Sequence, residues 1–155
     1  TAHYWYDDLQ KKIKIPILSM PQEVYVNIQK TSKKNSRIGI LSTEATLNTK
    51  IYHKYFQKSF DLLSPSKILQ KSSVNKSIKF VKMGKIREAE KAIRPAVNYL
   101  IKINCKKIIL GCTELPIAIF AYKSFKKIKE SKIFVDPNLL IANVSMKKYK
   151  KLKKQ

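Results

Sequence analysis

The chain predicts an α/β fold with a largely parallel sheet flanked by helices. Two observations carry that expectation. Short apolar runs such as Ile38-Gly39-Ile40-Leu41 and Ile108-Ile109-Leu110 are too brief for helices and are bounded by polar residues, as expected of strands buried on both faces. Segments with helical spacing of apolar residues alternate with those runs, the order that produces parallel strands joined by helical crossovers. With 155 residues and 44% hydrophobic content, the chain is long enough for one domain with a real core and too apolar for a disordered segment.

The elements follow in order. Residues 4–12 read as a helix, and 14–20 as a short strand that Pro16 confines to a sheet edge. Pro21 opens a helix in which Val24 and Ile28 fall one turn apart. A polar, basic connector over 31–36 leads to the buried strand 38–41, which ends in Ser42-Thr43. Residues 46–60 read as one helix with Leu47, Ile51 and Tyr55 on a face, and 62–66 as an extended piece and loop. A helix over about 77–83 stops at Gly84. The next, 87–103, carries a core stripe of Ala89, Ile93, Val97, Leu100 and Ile101, with a kink expected at Pro95. A strand over 107–110 runs into Gly111-Cys112-Thr113, and a helix follows Pro116. Residues 132–135 form the last strand. Asp136 then caps a final helix, 138–148, with Pro137 in its first turn.

Composition removes several classes of function. No apolar stretch is long enough to span a membrane, and Thr1-Ala2-His3-Tyr4-Trp5 resembles no signal peptide. It reads instead as the interior of a longer pattern. Cys105 and Cys112 make neither a disulfide framework nor a CxxC pair. With only His3 and His53 beside them a zinc site is not expected. The cysteine usage fits a reducing cytoplasm. Only three glycines are present, with no glycine-rich phosphate cradle. The net charge of +23 invites a nucleic-acid reading, but all basic residues except Arg37, Arg87 and Arg94 are lysines spread along the chain. Arginine forks, the usual readers of bases and phosphates, are scarce. The charge therefore implies nonspecific polyanion binding at low salt and no more.

Two strand ends carry the candidate chemistry. Cys112 follows an apolar strand, where open α/β sheets bind ligands. Thr43-Glu44-Ala45-Thr46 closes the other strand, with two hydroxyls beside the free N–H groups of a helix start, an arrangement suited to a carboxylate. Thr113-Glu114 repeats the pattern, so both ends point at one crevice. A hydrolase using Cys105 or Cys112 with His53 lacks an oriented triad, and Cys105 reads as a small buried side chain. Lys82 is undistinguished by composition.

Gly111-Cys112-Thr113-Glu114-Leu115-Pro116 resembles the second catalytic segment of the aspartate/glutamate racemase family, amino-acid racemases that work without pyridoxal phosphate. Ile38-Gly39-Ile40-Leu41-Ser42-Thr43-Glu44-Ala45-Thr46, followed by Tyr52, is similar to that family's central strand and threonine turn. Thr1-Ala2-His3 resembles the end of its first catalytic segment, Cys-Asn-Thr-Ala-His, and Asp136-Pro137 fits its C-terminal helix. The resemblance is nearest to the aspartate branch. It implies a Rossmann-like, two-domain fold, with 1–20 the tail of the first domain, 21–131 the second, and 132–155 a strand and helix returning to the first. It implies Cys112 as one of two acid/base thiols. Thr1, Thr43, Thr46 and Thr113 would contact the substrate, Glu114 would orient or tune the site, and Lys82 would hold the side-chain carboxylate of an acidic amino acid. No cofactor is implied. The partner cysteine would precede Thr1 and is absent from this sequence, so the resemblance implies an N-terminally truncated enzyme, active only with the missing half or a second copy, or an inactive remnant.

Overall fold

The computed structural model describes residues 2–121, 125 and 132–153. Thr1 lies outside them. The chain opens with a 3₁₀ turn, Ala2–Trp5, and helix α1, Tyr6–Lys12. Helix α2 is Met20–Thr31, strand β1 is Arg37–Leu41, and the short helices α3 and α4 are Glu44–Asn48 and His53–Phe56. Strand β2 is Asp61–Leu63. Helix α5, Lys67–Leu69, runs through a π-helical stretch, Gln70–Asn75, into α6, Lys76–Lys82. Helix α7 is Ile86–Lys102, β3 is Lys107–Leu110 and α8 is Glu114–Phe120. Strand β4, Phe134–Val135, precedes the closing helix α9, Pro137–Leu152.

The four strands are parallel, in the order β2-β1-β3-β4. Alternation along each strand divides the core in two. Leu41, Ile108 and Leu110 face α6, α7 and α8, where they meet Ile78, Ile93, Leu100 and Leu115, with Val74 of the π-helical stretch beside them. Ile38, Ile40 and Ile109 face the other side, with Val24 and Ile28 of α2, Phe56 of α4 and Phe60. Both faces being covered, the strands carry no polar alternation, which is why they appear in sequence as unbroken apolar runs. Gly39 lets α7 approach: a Cβ there would stand 2.8 Å from Leu100 Cδ1.

Four elements differ from the sequence reading. Residues 14–19 form no strand, and Met20 already belongs to α2. The backbone before it is tied instead to Gln10, which donates to the carbonyls of Ile13 and Ile15 at 3.2 Å each and accepts from Ile17 N–H at 2.7 Å. The helix expected over 46–60 breaks where Lys50 takes φ 52°, and the turn buries both Ile51 and Tyr52. It also starts two residues earlier, because the Thr43 side chain accepts from Thr46 N–H at 3.2 Å. The polar run 70–75 is helical because its small side chains satisfy α7: the Ser73 hydroxyl donates to Ala92 C=O and accepts from Ala96 N–H, bridging the turn that holds Pro95. Helix α8 begins at Glu114, with Pro116 inside its first turn, where no N–H is needed.

Candidate active site

In a parallel sheet ordered 2-1-3-4 the connections leave β1 on opposite sides, and the crevice beyond the carboxyl ends of β1 and β3 is the switch point where such folds bind ligands. The β1 and β3 loops are held together there. Gly111 N–H donates to Leu41 C=O at 2.7 Å, and a Cβ at Gly111 would stand 3.1 Å from Ser42 Cβ. Glycine therefore sets the separation between the two strand-end turns, and Cys112 emerges opposite the threonine turn.

A cavity of about 290 Å³ opens at this point. Thr43 and Thr46 line it from the β1 side and Cys112 and Thr113 from the β3 side. Ala2 and His3, Met20 of α2, and Pro137 and Asn138 of α9 complete the wall. The Thr43 and Thr46 hydroxyls are 3.0 Å apart. Met20 N–H, at the start of α2, donates to His3 Nε2 at 3.1 Å. Burial holds the His3 pKa below its ordinary value, against a hydrogen bond to Leu18 that raises it. The imidazole is thus neutral, with Nε2 unprotonated.

Glu114 organises the chemistry on the β3 side. Cys112 Sγ–H and the Thr113 hydroxyl both donate to Glu114 Oε2 at 2.8 Å. Lys82, at the end of α6, places Nζ 3.6 Å from the other oxygen, Oε1. Burial pushes the Cys112 thiol up to about 11, and its hydrogen bond to the Glu114 carboxylate pushes in the same direction; the Glu114 backbone and the Lys82 charge act against them. The balance of these effects favours the protonated thiol. Burial alone would raise the Glu114 pKa, but the Cys112 and Thr113 donors, its own backbone N–H and Lys82 hold it below the usual carboxylate value. The site therefore stores a thiol beside a carboxylate, a proton donor with an acceptor to steady it.

Of the residues that the sequence singled out, Cys112, Thr43, Thr46 and Thr113 share one cavity. Glu114 joins them through the thiol, and Lys82 reaches the site only through Glu114. Sequence reasoning missed His3 and Asn138 as wall residues. His3 sits within the quoted Thr1-Ala2-His3 and Asn138 directly follows Asp136-Pro137, but neither residue type marked it out. Cys105 precedes β3, at the strand end opposite Cys112, and burial raises its thiol to about 11. Among the described residues no three His, Cys, Asp or Glu side chains gather as a metal site, and no helix is long and apolar enough to cross a membrane.

The same arrangement of strands and turns exists in known proteins. The chain is 32% identical over 117 residues to an uncharacterised protein of Pectobacterium carotovorum, covering 74% of this chain and 75% of that one. It is 27% identical over 146 residues to the glutamate racemase of Carboxydothermus hydrogenoformans, covering 91% of this chain and 52% of the enzyme. Its structure superposes on the aspartate racemase of Picrophilus torridus with a TM-score of 0.68 and 26% identity, over 93% of this chain and 58% of that one. The chain thus spans little more than half the length of these two racemases. The sequence profile of the Asp/Glu/hydantoin racemase family matches residues 1–143, and the chain belongs to that family.

Proposed function

We propose that this chain contributes one proton-transfer face of a cofactor-independent amino-acid racemase acting on an acidic amino acid, aspartate or glutamate. The observation that carries the reading is the placement of Cys112 in a cavity opposite the paired hydroxyls of Thr43 and Thr46. Racemisation removes the α-proton from one face of the carbon and returns one to the other, so a thiol must face a thiolate across the substrate. Cys112, held protonated near neutral pH by burial and Glu114, is the donor in that pair. The threonine turn is the seat of the α-carboxylate, with Thr113 beside it. Lys82 supplies the cation for a side-chain carboxylate.

The second thiol is assigned to the cysteine of the family's first segment. This sequence carries that segment only from Thr1-Ala2-His3 onward, and Cys105 and Cys112 are its two cysteines. On this reading 21–131 is the second of two similar domains, and the opposite face comes from a further stretch of polypeptide or a second copy. A reducing cytoplasm suits a reaction run by free thiols.

The test is α-proton exchange of L-aspartate in deuterated buffer, followed by NMR, with chirality read in parallel. This chain alone is expected to bind weakly and leave chirality unchanged. Supplied with a segment carrying the Cys-Asn motif, it is expected to racemise, and C112A to abolish the reaction. Robust inversion by this chain alone would refute the two-thiol division of labour.

A further inference from the structure

In the free protein Lys82 is not in the substrate-binding position that the resemblance gives it. Its ammonium lies not in the cavity wall but 3.6 Å from Glu114 Oε1, while Oε2 of the same carboxylate accepts from Cys112 and Thr113. One carboxylate thus carries the reactive thiol on one oxygen and the lysine on the other. The two partners differ in freedom: the Glu114 side chain is 18% exposed and that of Lys82 65%. A solvent-exposed ion pair is worth about 0–1 kcal/mol. A lysine on a flexible stem, unlike an arginine fork, can change partner without losing a fixed two-point geometry. Lys82 is also the last residue of α6, two residues before Gly84 at φ 72°, so it swings from a helix end rather than from within a packed turn.

We propose that Lys82 is an exchangeable counter-ion: it pairs with Glu114 in the free protein and leaves it for the side-chain carboxylate of a bound dicarboxylic amino acid, so that filling the cavity changes the charge beside Cys112. The proposal rests on the reading of the cavity as an acidic amino-acid site. While Lys82 is in place, its charge opposes the hold of Glu114 on the thiol proton. Once it leaves, Glu114 keeps Cys112 protonated more firmly, in the state from which it donates to carbon. A neutral amino acid offers no carboxylate and leaves the pair intact. Substrate choice and thiol protonation would then depend on the same lysine. Other titratable groups near the site, among the described residues, have partners of their own: the Glu44 carboxylate of the threonine turn accepts from Asn75 Nδ2 at 2.8 Å. His3 is neutral, Asp136 accepts from Asn138 N–H and Leu139 N–H as a helix cap, and on α7 Glu90 is paired with Arg94.

Calorimetry with L-aspartate and L-alanine on the wild type, E114Q, K82Q and the double variant tests the exchange. Removing the competing carboxylate should tighten aspartate binding about 2–5-fold in E114Q, the factor matching loss of an exposed ion pair. The gain should vanish when K82Q is also present, and alanine binding should not follow it. Unchanged or weaker aspartate binding in E114Q overturns the proposal, as does an equal gain with and without Lys82. If the wild type itself binds no aspartate, the substrate reading falls and the exchange with it, a failure told apart by the wild-type titration. A second measurement needs no ligand. The pH midpoint of Cys112 alkylation, read by mass spectrometry of its peptide, should rise by about half a unit in K82Q. A midpoint that does not move overturns the coupling.

Discussion

At the scale of single residues, the site is built on a thiol that its surroundings keep protonated. Glu114 is among the causes, so E114Q should lower the Cys112 midpoint and speed its alkylation at neutral pH, measured as labelling rate against pH. No change would mean that burial alone sets the thiol. The same shift appears in stability. Cys105 and Cys112 both ionise near 11 in the folded chain, against about 8.5 when unfolded. Between those values the unfolded state binds fewer protons than the folded one. The stability contributed by the two thiols is whole below about pH 8.5 and is lost as pH rises through 11. Thermal unfolding midpoints should fall across that window, and C105A should flatten the fall.

Among the secondary-structure elements, close approaches decide function as much as stability does. G39A drives a methyl against Leu100 at 2.8 Å and should cost about 1–3 kcal/mol by urea denaturation, the usual cost of overpacking. L100V in the same chain should return part of it. D136A removes the cap of α9, whose carboxylate accepts from Asn138 N–H at 2.9 Å, and should cost about 1 kcal/mol. Because Pro137 and Asn138 line the cavity, it should also weaken ligand binding, whereas G39A, remote from the wall, should change stability with little effect on affinity. These elements were unequally legible. Strands β1 and β3 are visible as apolar runs because burial on both faces demands nothing else of them. The 70–75 helical stretch is invisible, since the Ser73 hydroxyl matters only through the α7 backbone it meets. The segment 14–20 resembles a strand in composition, but a strand exists only with a neighbour, and here Gln10 takes that place.

For the molecule as a whole, charge and apolar surface dominate behaviour in solution. A net charge of +23 should give binding to heparin and DNA that ignores sequence and falls steeply between about 50 and 200 mM salt. Fluorescence anisotropy with two unrelated duplexes checks this, and a preference surviving moderate salt would mark a dedicated site. Tyr4, Trp5, Leu9, Ile13 and Ile15 at the start of the chain, and Leu139, Met146, Tyr149 and Leu152 on α9, are large apolar side chains left exposed.

The fold class, the two buried strands, the cap at Asp136 and the pairing of a thiol segment with a threonine turn were legible in the residues alone. Those are local facts, written as short apolar runs, capping residues and strand-end motifs that need few distant partners to be read. It takes the folded chain to bring the two turns together at Gly111 and Ser42, to close the wall with His3 and Asn138, and to set Lys82 against Glu114 instead of the cavity. Each of these depends on groups far apart in the chain meeting across the sheet's carboxyl edge. The protonation of Cys112 belongs with them, because burial, a carboxylate and an ammonium from different elements set it jointly, and no window of sequence contains all three.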